Sequence, residues 1–242
     1  MTGLLLLADS RLPTGGHAHS GGVEEAVRRG DVRGPADLER FLAARVPTAG
    51  LVTASFAAAA CARVVERGSP ARRETERGTP SRPSGDPGWA PWEAALDART
   101  PVAALREVSR TQGRALLRTV RAVWPDAPVD ALGARPHQAL VLGVATAAAS
   151  GGAGDAASLA VHHLVGQATS AAVRLLGLDP LALAAVHARA LAAAAPVVVH
   201  AADAGAEAVA AGDPDLLPAA TTPRPEVLAV VHARAEGALF AS

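Results

Sequence analysis

Apolar residues along most of this chain recur three and four positions apart, which is the spacing of the buried face of an α-helix. One such face belongs to a helix that the sequence predicts from Pro35, because proline suits the first helical position. It is formed by Leu38, Phe41, Leu42 and Val46. The same spacing predicts a longer helix after Pro101, which ends at Trp124-Pro125. Its apolar face is formed by Val102, Leu105, Val108, Leu116, Val120 and Val123.

Proline, glycine and capping residues divide the rest of the chain into further helices. The predicted segments are Val23–Arg29, Thr48–Arg67 after a break at Pro47, residues 136–150, residues 155–176 between an Asp155 N-cap and a Gly177 C-cap, residues 180–211 behind Asp179 with an interruption at Pro196, and residues 223–240. Only Val197–Val199 looks like a strand, and three residues do not make a sheet.

Residues 68–91 depart from this pattern. They are rich in Pro, Gly, Ser, Arg and Glu and have no apolar periodicity, so the sequence predicts a disordered loop. The helical pattern is alike on both sides, which argues against a domain boundary there. The sequence therefore predicts an all-α, single-domain bundle of about eight to ten helices over residues 1–242.

The composition supports helices and limits the chemistry. Half of the residues are hydrophobic, but only 2% are aromatic, so the core must consist mostly of Ala, Leu and Val. All 23 basic residues are Arg, which excludes a lysine Schiff base and a phosphate-binding loop of the usual kind. The net charge of zero argues against a general nucleic-acid binder. No hydrolase motif is present, which favours binding over catalysis.

The single cysteine, Cys61, excludes an intrachain disulfide and a cysteine-rich zinc site. Its apolar neighbours predict a buried, inert thiol. Leu4–Ala8 is too short for a signal peptide and lacks a basic region before it. Charged residues, Pro or Gly interrupt the longer apolar segments, so we expect no membrane span and a cytoplasmic protein.

Residues 9–22 form a glycine-rich loop of small residues. It is either a tight turn that packs the N-terminal helix or a site where another backbone or ligand approaches closely. Its glycine spacing and the lack of a strand before it argue against a phosphate-binding loop. His17 and His19 are weak candidates for a transient metal site, because alternate residues share one side only if the backbone is extended. His162 and His163 diverge by about 100° on a helix, so they cannot both bind one ion.

Arginines also recur on one face of the helix after Pro101. They are Arg106, Arg110, Arg114 and Arg118. This face is either a solvated surface or a contact for an acidic partner. At the C-terminus, Phe240 either packs into its own core or inserts into a partner, because an apolar residue is unusual so near an end.

Four stretches of the chain, in this order, match motifs of one known family. They are Leu4–Ser10 with Leu12-Pro13, Gly15, His19-Ser20, Gly21 and Glu24; Ser109–Leu117; the Ala-rich helices from His137 to Ala195; and His232 with Leu239, Phe240 and Ser242. Together they resemble the urease accessory protein F family (UreF), and the resemblance covers most of the chain.

The resemblance implies an all-helical, non-enzymatic and often dimeric protein. Such a protein would bridge an accessory GTPase of the UreG type and the urease accessory protein D/H, so that nickel enters apo-urease. Nickel would be a transient cargo, and no cofactor would be tightly bound. The motifs of the resemblance and the arginine face together give the predicted partner-binding residues. They are Ser10, Pro13, Gly15, Gly16, His19, Ser20, Gly21, Glu24, Arg110, Arg114, His232, Leu239 and Phe240.

Two other functions remain open from the residues alone. One is a metal-dependent enzyme that uses His17, His19 and an acidic residue. The other is a helical regulator that binds nucleic acid through the arginine face, which salt-dependent binding would reveal.

Overall fold

The computed structural model describes residues 2–14, 16, 19–68, 88–232 and 240, and these residues form α-helices without a β-strand. The helices are α1 Thr2–Ala8, α2 Val23–Arg28, α3 Pro35–Arg45, α4 Leu51–Gly68, α5 Ala90–Ala98, α6 Ala103–Val123, α7 Gln138–Ala148, α8 Ala153–Leu176, α9 Pro180–Ala193, α10 Ala195–Ala211 and α11 Pro223–His232. The predicted all-α class is confirmed. The valines at 197–199 lie inside α10.

Helix α4 occupies the centre of the bundle, where it packs against α7, α8 and α10. Its residues from Phe56 to Cys61 are completely buried. A helix that is apolar all round has to be surrounded by other elements. Because four of these six residues are alanine, the neighbouring helices can come close to the α4 backbone.

Glycine allows two of these helices to touch the α4 backbone directly. A Cβ atom added to Gly143 of α7 would lie 2.2 Å from the carbonyl oxygen of Ala57. A Cβ added to Gly205 of α10 would lie 2.7 Å from the backbone nitrogen of Ala59. Both distances are shorter than van der Waals contact, so any side chain at either position would push the helices apart.

The predicted break at Pro47 is wrong, because the helix continues through it. Residues Val46–Gly50 form a π-helical turn that joins α3 to α4. Proline lacks an N–H group and its ring clashes with the carbonyl four residues earlier. The wider π-turn accommodates both defects without ending the helix.

The ends of the later helices confirm two of the predicted caps and correct one. Gly177 ends α8 in the left-handed conformation at φ 60°, and Asp179 caps α9 by accepting hydrogen bonds from two backbone N–H groups. The N-cap of α8 is Gly152 instead of Asp155. Asp155 lies one turn inside and accepts a 2.9 Å bond from the Gly152 N–H, so its carboxylate still closes the helix start.

Two other boundaries differ from the sequence prediction. Helix α5 begins at Ala90, inside the predicted loop, because Trp92 is buried and anchors it. The final helix α11 is described from Pro223 to His232, and Phe240 lies outside any helix, so the predicted helix end at Phe240 is wrong. Residues 69–87, which contain most of the predicted disordered loop, lie outside the described residues.

One continuous helical stretch of the described chain, Pro35–Gly68, is long and apolar enough to cross a membrane by length and composition. Its position explains this composition, because 61% of its most apolar window is buried inside the bundle. The pair α9 and α10 passes the same test only if it is counted as one span bent by 47°.

We expect Gly143→Ala to lower the free energy of unfolding by about 1–3 kcal/mol, because the added methyl group would overlap the Ala57 carbonyl. Gly154→Ala is the matched control, since nothing lies within 4 Å of its added Cβ. The control should leave stability unchanged or raise it by up to about 1 kcal/mol. Urea unfolding followed by circular dichroism measures both, and equal stability of the two variants would contradict the packing.

Candidate functional site

The N-terminal loop is held by bonds within the loop and by a bond to the helical bundle. Asp9 accepts hydrogen bonds from the backbone N–H and the guanidinium group of Arg11, and these bonds lower the pKa of Asp9 to about 2. The Pro13 carbonyl oxygen accepts a 3.0 Å bond from the Thr119 hydroxyl, which fastens the loop to α6. Ser10 and Pro13 themselves are exposed. This part of the loop is therefore a fixed surface that another protein could contact.

The second half of the loop turns inward and starts α2. His19 and Ser20 are buried, and burial lowers the pKa of His19. Gly21 and Gly22 have φ of 61° and 87°, which favours glycine at both positions. The Ser20 hydroxyl oxygen then accepts a 3.3 Å bond from the Glu24 N–H in the first turn of α2.

The C-terminal end packs against this same turn of α2. The Phe240 N–H donates a 3.0 Å bond to Oε2 of Glu24, and the Phe240 carbonyl oxygen accepts a 3.2 Å bond from Nε2 of His232. Phe240 and His232 are each 5% exposed. The guanidinium carbon of Arg174 lies 4.2 Å from the centre of the Phe240 ring. We call Glu24, His232 and Phe240 the terminal clamp, because they join the first turn of α2 to the C-terminal region of the chain.

The structure thus brings together part of the predicted partner-binding set. Ser20, Gly21 and the terminal clamp form one region, with Pro13 and Ser10 on the loop that leads to it. The sequence left open whether Phe240 enters its own core or a partner, and here it packs into its own chain. Gly16 lies beside Gln167 of α8. The other predicted residues of this region, Gly15, His17 and Leu239, lie outside the described residues.

A cavity of about 180 Å³ lies beneath this region. Its lining comes from the N-terminal loop, α4, α6, α7, α8 and α11, and includes Gly21 and His232. Three buried nitrogens of lining residues have no hydrogen-bond partner within the described chain. They are Nε2 of Gln112, Nε2 of Gln138 and Nδ1 of His163. Buried polar groups of this kind normally bind ordered water, so the cavity is polar enough to hold it.

The arginine face of α6 divides into two halves. Arg110 donates to Glu93 at 3.1 Å, to Asp97 at 2.8 Å and to the Arg135 carbonyl oxygen at 2.6 Å. Its side chain is therefore occupied by its own chain. Arg114 is exposed, and among the described residues its one hydrogen-bond contact is with the Thr111 hydroxyl at 3.4 Å. Of the two predicted contact residues, Arg114 is the one that can reach a partner.

Sequence reasoning missed the buried polar network behind Arg110. The fully buried ring of His137 lies 2.9 Å from the Ser109 hydroxyl through Nδ1 and 2.9 Å from Asp97 through Nε2. Its backbone N–H donates to Glu93 at 3.1 Å. Glu93 and Asp97 are four residues apart on α5, which puts both carboxylates on one face of the helix. This spacing was the sequence feature that could have indicated the network.

The protonation of this network follows from its surroundings. Burial lowers the pKa of His137, although its hydrogen bond to Asp97 acts in the opposite direction. Burial raises the pKa of Glu93. Burial alone would also raise the pKa of Asp97, but the bond from His137 and the charge of Arg110 lower it. Ser109, His137 and Asp97 are the residue types of a serine protease triad, but in a triad Nε2 of the histidine faces the serine. Here Nδ1 faces Ser109. The network is therefore better suited to joining α5, α6 and α7.

The described residues contain no group of three or more His, Cys, Asp or Glu that could hold a metal ion. Cys61 is buried as expected, and its thiol donates to the Gly151 carbonyl oxygen at 3.4 Å. Burial raises the pKa of Cys61 to about 12. His162 and His163 bond separately to the carbonyl oxygens of Ala8 and Leu7 at the end of α1.

We expect stability to fall as the pH drops below about 6.5, in part because of His137. Its pKa is lower in the folded chain than in the unfolded chain, so the unfolded chain binds the proton first and gains population. His137→Gln should therefore reduce the loss of unfolding free energy between about pH 7.5 and about pH 5.5. His200→Gln, at an exposed position of α10, is the control. An unchanged loss in His137→Gln would contradict this assignment.

Comparisons with known proteins identify the family. The sequence profile of the family UreF matches residues 32–191. The chain is 46% identical over 243 residues to the urease accessory protein UreF of Mycolicibacterium vanbaalenii, which covers 99% of this chain and 97% of that protein. It is also 46% identical over 185 residues to the UreF protein of Mycobacterium marinum, with 73% and 74% of the two chains covered. The chain therefore belongs to the UreF family of urease accessory proteins, which are not enzymes.

Proposed function

We propose that this protein is a cytoplasmic scaffold for urease maturation. It bridges an accessory GTPase and the urease accessory protein D/H, modulates the GTPase, and so supports nickel insertion into apo-urease. The observation that carries this proposal is the 46% identity to a urease accessory protein over 99% of the chain. Nickel is then a cargo of the complex, and this chain needs no tightly bound cofactor.

The fixed loop and the terminal clamp support a role in protein contact. Ser10 and Pro13 are exposed on a loop that Thr119 holds in place, so little ordering free energy is lost when a partner binds there. Phe240 is the proposed anchor for the D/H protein. A partner that draws the whole of Phe240 away from α2 has to replace its two backbone hydrogen bonds, one to Glu24 and one from His232.

The exposed half of the arginine face supports a contact with an acidic partner. Arg114 is exposed, and Arg118 one turn further along α6 is also exposed. Arginine is enriched at protein interfaces because its planar guanidinium group forms several hydrogen bonds at once. The paired Arg110 would instead position α5 against α6 behind this surface.

We expect Arg114→Glu to weaken co-purification with the D/H protein or the GTPase by about tenfold or more, because it places like charges together at the contact. Arg40→Glu on α3 is the matched control, since it reverses another exposed arginine outside the predicted set. Both variants should keep wild-type circular dichroism. Pull-down of the tagged chain from cells that express a complete urease operon measures complex formation, and equal yields from both variants would contradict the contact.

We also propose that the chain forms a homodimer. Helix α1 supports this, because Leu5 is 67% exposed and Leu6 is 37% exposed, and a second copy would remove this apolar surface from water. Leu5→Glu with Leu6→Glu should shift the mass measured by light scattering from dimer to monomer. Val65→Glu, which changes another exposed apolar residue on α4, is the control. A monomeric wild-type chain would contradict the proposal.

A further inference from the structure

Two histidines from different helices face one another beside the C-terminal end of α1. Nδ1 of His162 on α8 lies 3.4 Å from Nε2 of His187 on α9. The ring centres are 5.1 Å apart and the ring planes are inclined by 58°. Both side chains are only partly buried.

The hydrogen bonds behind the two rings limit where their protons can lie. Nε2 of His162 is 3.1 Å from the Ala8 carbonyl oxygen. A carbonyl oxygen can only accept, so in the neutral ring Nε2 carries the proton and Nδ1 carries a lone pair. This lone pair is on the nitrogen that faces His187.

Thr169 lies behind the His187 ring, as the Ala8 carbonyl oxygen lies behind the His162 ring. Its hydroxyl oxygen lies 3.0 Å from the Val165 carbonyl oxygen and 3.1 Å from that of Gly166, and both can only accept. In one arrangement the hydroxyl proton points to these carbonyl oxygens of α8. The same oxygen is 3.3 Å from Nδ1 of His187 and can accept a proton from it. In that arrangement Nε2 of His187 also carries a lone pair, and two lone pairs face each other.

We propose that His162 and His187 form a two-histidine site for a divalent cation that prefers imidazole, such as Ni²⁺ or Zn²⁺. A metal about 2.0–2.1 Å from each nitrogen, in tetrahedral geometry, places two ligands about 3.3 Å apart, close to the 3.4 Å found here. Metal-binding histidines usually donate their other N–H to a carbonyl or another oxygen, and both rings have such a partner. Water completes the coordination, so the ion exchanges readily.

The metal-free pair has an alternative arrangement of protons. The Thr169 hydroxyl turns to Nδ1 of His187, and Nε2–H of His187 then donates to Nδ1 of His162. Metal binding reverses this tautomer without a net change of protons on the two rings. His163 does not take part, because its Nε2 bonds to Leu7 at 2.8 Å and its ring centre is 6.0 Å from that of His162.

The site is independent of the proposed scaffold function. It concerns two side chains of the isolated protein and needs neither the GTPase nor urease. A chain that fails to join the maturation complex would still bind an ion here, and a working scaffold could lack the site. The two proposals therefore fail separately.

Calorimetric titration of the full chain with NiCl₂ and with ZnSO₄ tests the site. The wild type should bind one equivalent of at least one ion, and both His162→Ala and His187→Ala should abolish this binding. Thr169→Val should weaken it by about tenfold, because the valine cannot accept from Nδ1 of His187. His200→Ala on α10 is the control and should bind as the wild type does.

Three results would overturn the proposal. They are an absence of binding by the wild type, undiminished binding by His187→Ala, and equal losses in His187→Ala and His200→Ala. Circular dichroism and thermal unfolding confirm that each variant is folded. If His162→Ala unfolds because it loses its bond to Ala8, the other two variants still test the site. His187→Ala should abolish metal binding, and Thr169→Val should weaken it by about tenfold.

Discussion

The close approach of α7 and α10 to the backbone of α4 is the constraint on which the rest of this fold depends. Gly143 and Gly205 provide the space for it, and the alanines of α4 keep the central helix thin. With so few aromatic side chains, the chain cannot fill wide gaps between helices. It gains its packing density by bringing helix backbones together.

This packing also determines where the functional surface forms. Helices α7 and α8 contact α4 from the sides, and α6 packs on α7. The N-terminal loop is then fastened to α6 through Thr119, and α2 receives the C-terminal end through Glu24. The start of α2 and the C-terminal region therefore meet on a surface whose shape depends on the buried helices.

The sequence predicted most of the fold because helical spacing and caps are local signals. Gly177 and Asp179 have the predicted roles, since their conformations depend on nearby backbone alone. Pro47 was misread because the π-turn that accommodates it depends on the packing of both flanking helices. The start of α5 was missed because it depends on the burial of Trp92, which is a tertiary contact. The polar residues before Trp92 give no sign of it in the sequence.

The candidate site was predictable only in part. The glycine-rich loop and Phe240 stood out as local anomalies, and the family motifs ordered them along the chain. The bonds from Phe240 to Glu24 and His232 join residues far apart in sequence. The pairing of Arg110 with Glu93 and Asp97 and the approach of His187 to His162 likewise depend on how helices meet. A single sequence contains no signal for such contacts beyond charge complementarity.

We propose that this non-enzymatic helical chain acts by assembling other proteins around apo-urease. The most direct test of this proposal is the nickel content and specific activity of urease purified from cells that express the operon with or without this chain. We expect nickel-poor, inactive urease without the chain, and normal nickel content and activity when the chain is supplied in trans. Fully loaded, active urease in its absence at limiting nickel would contradict the account.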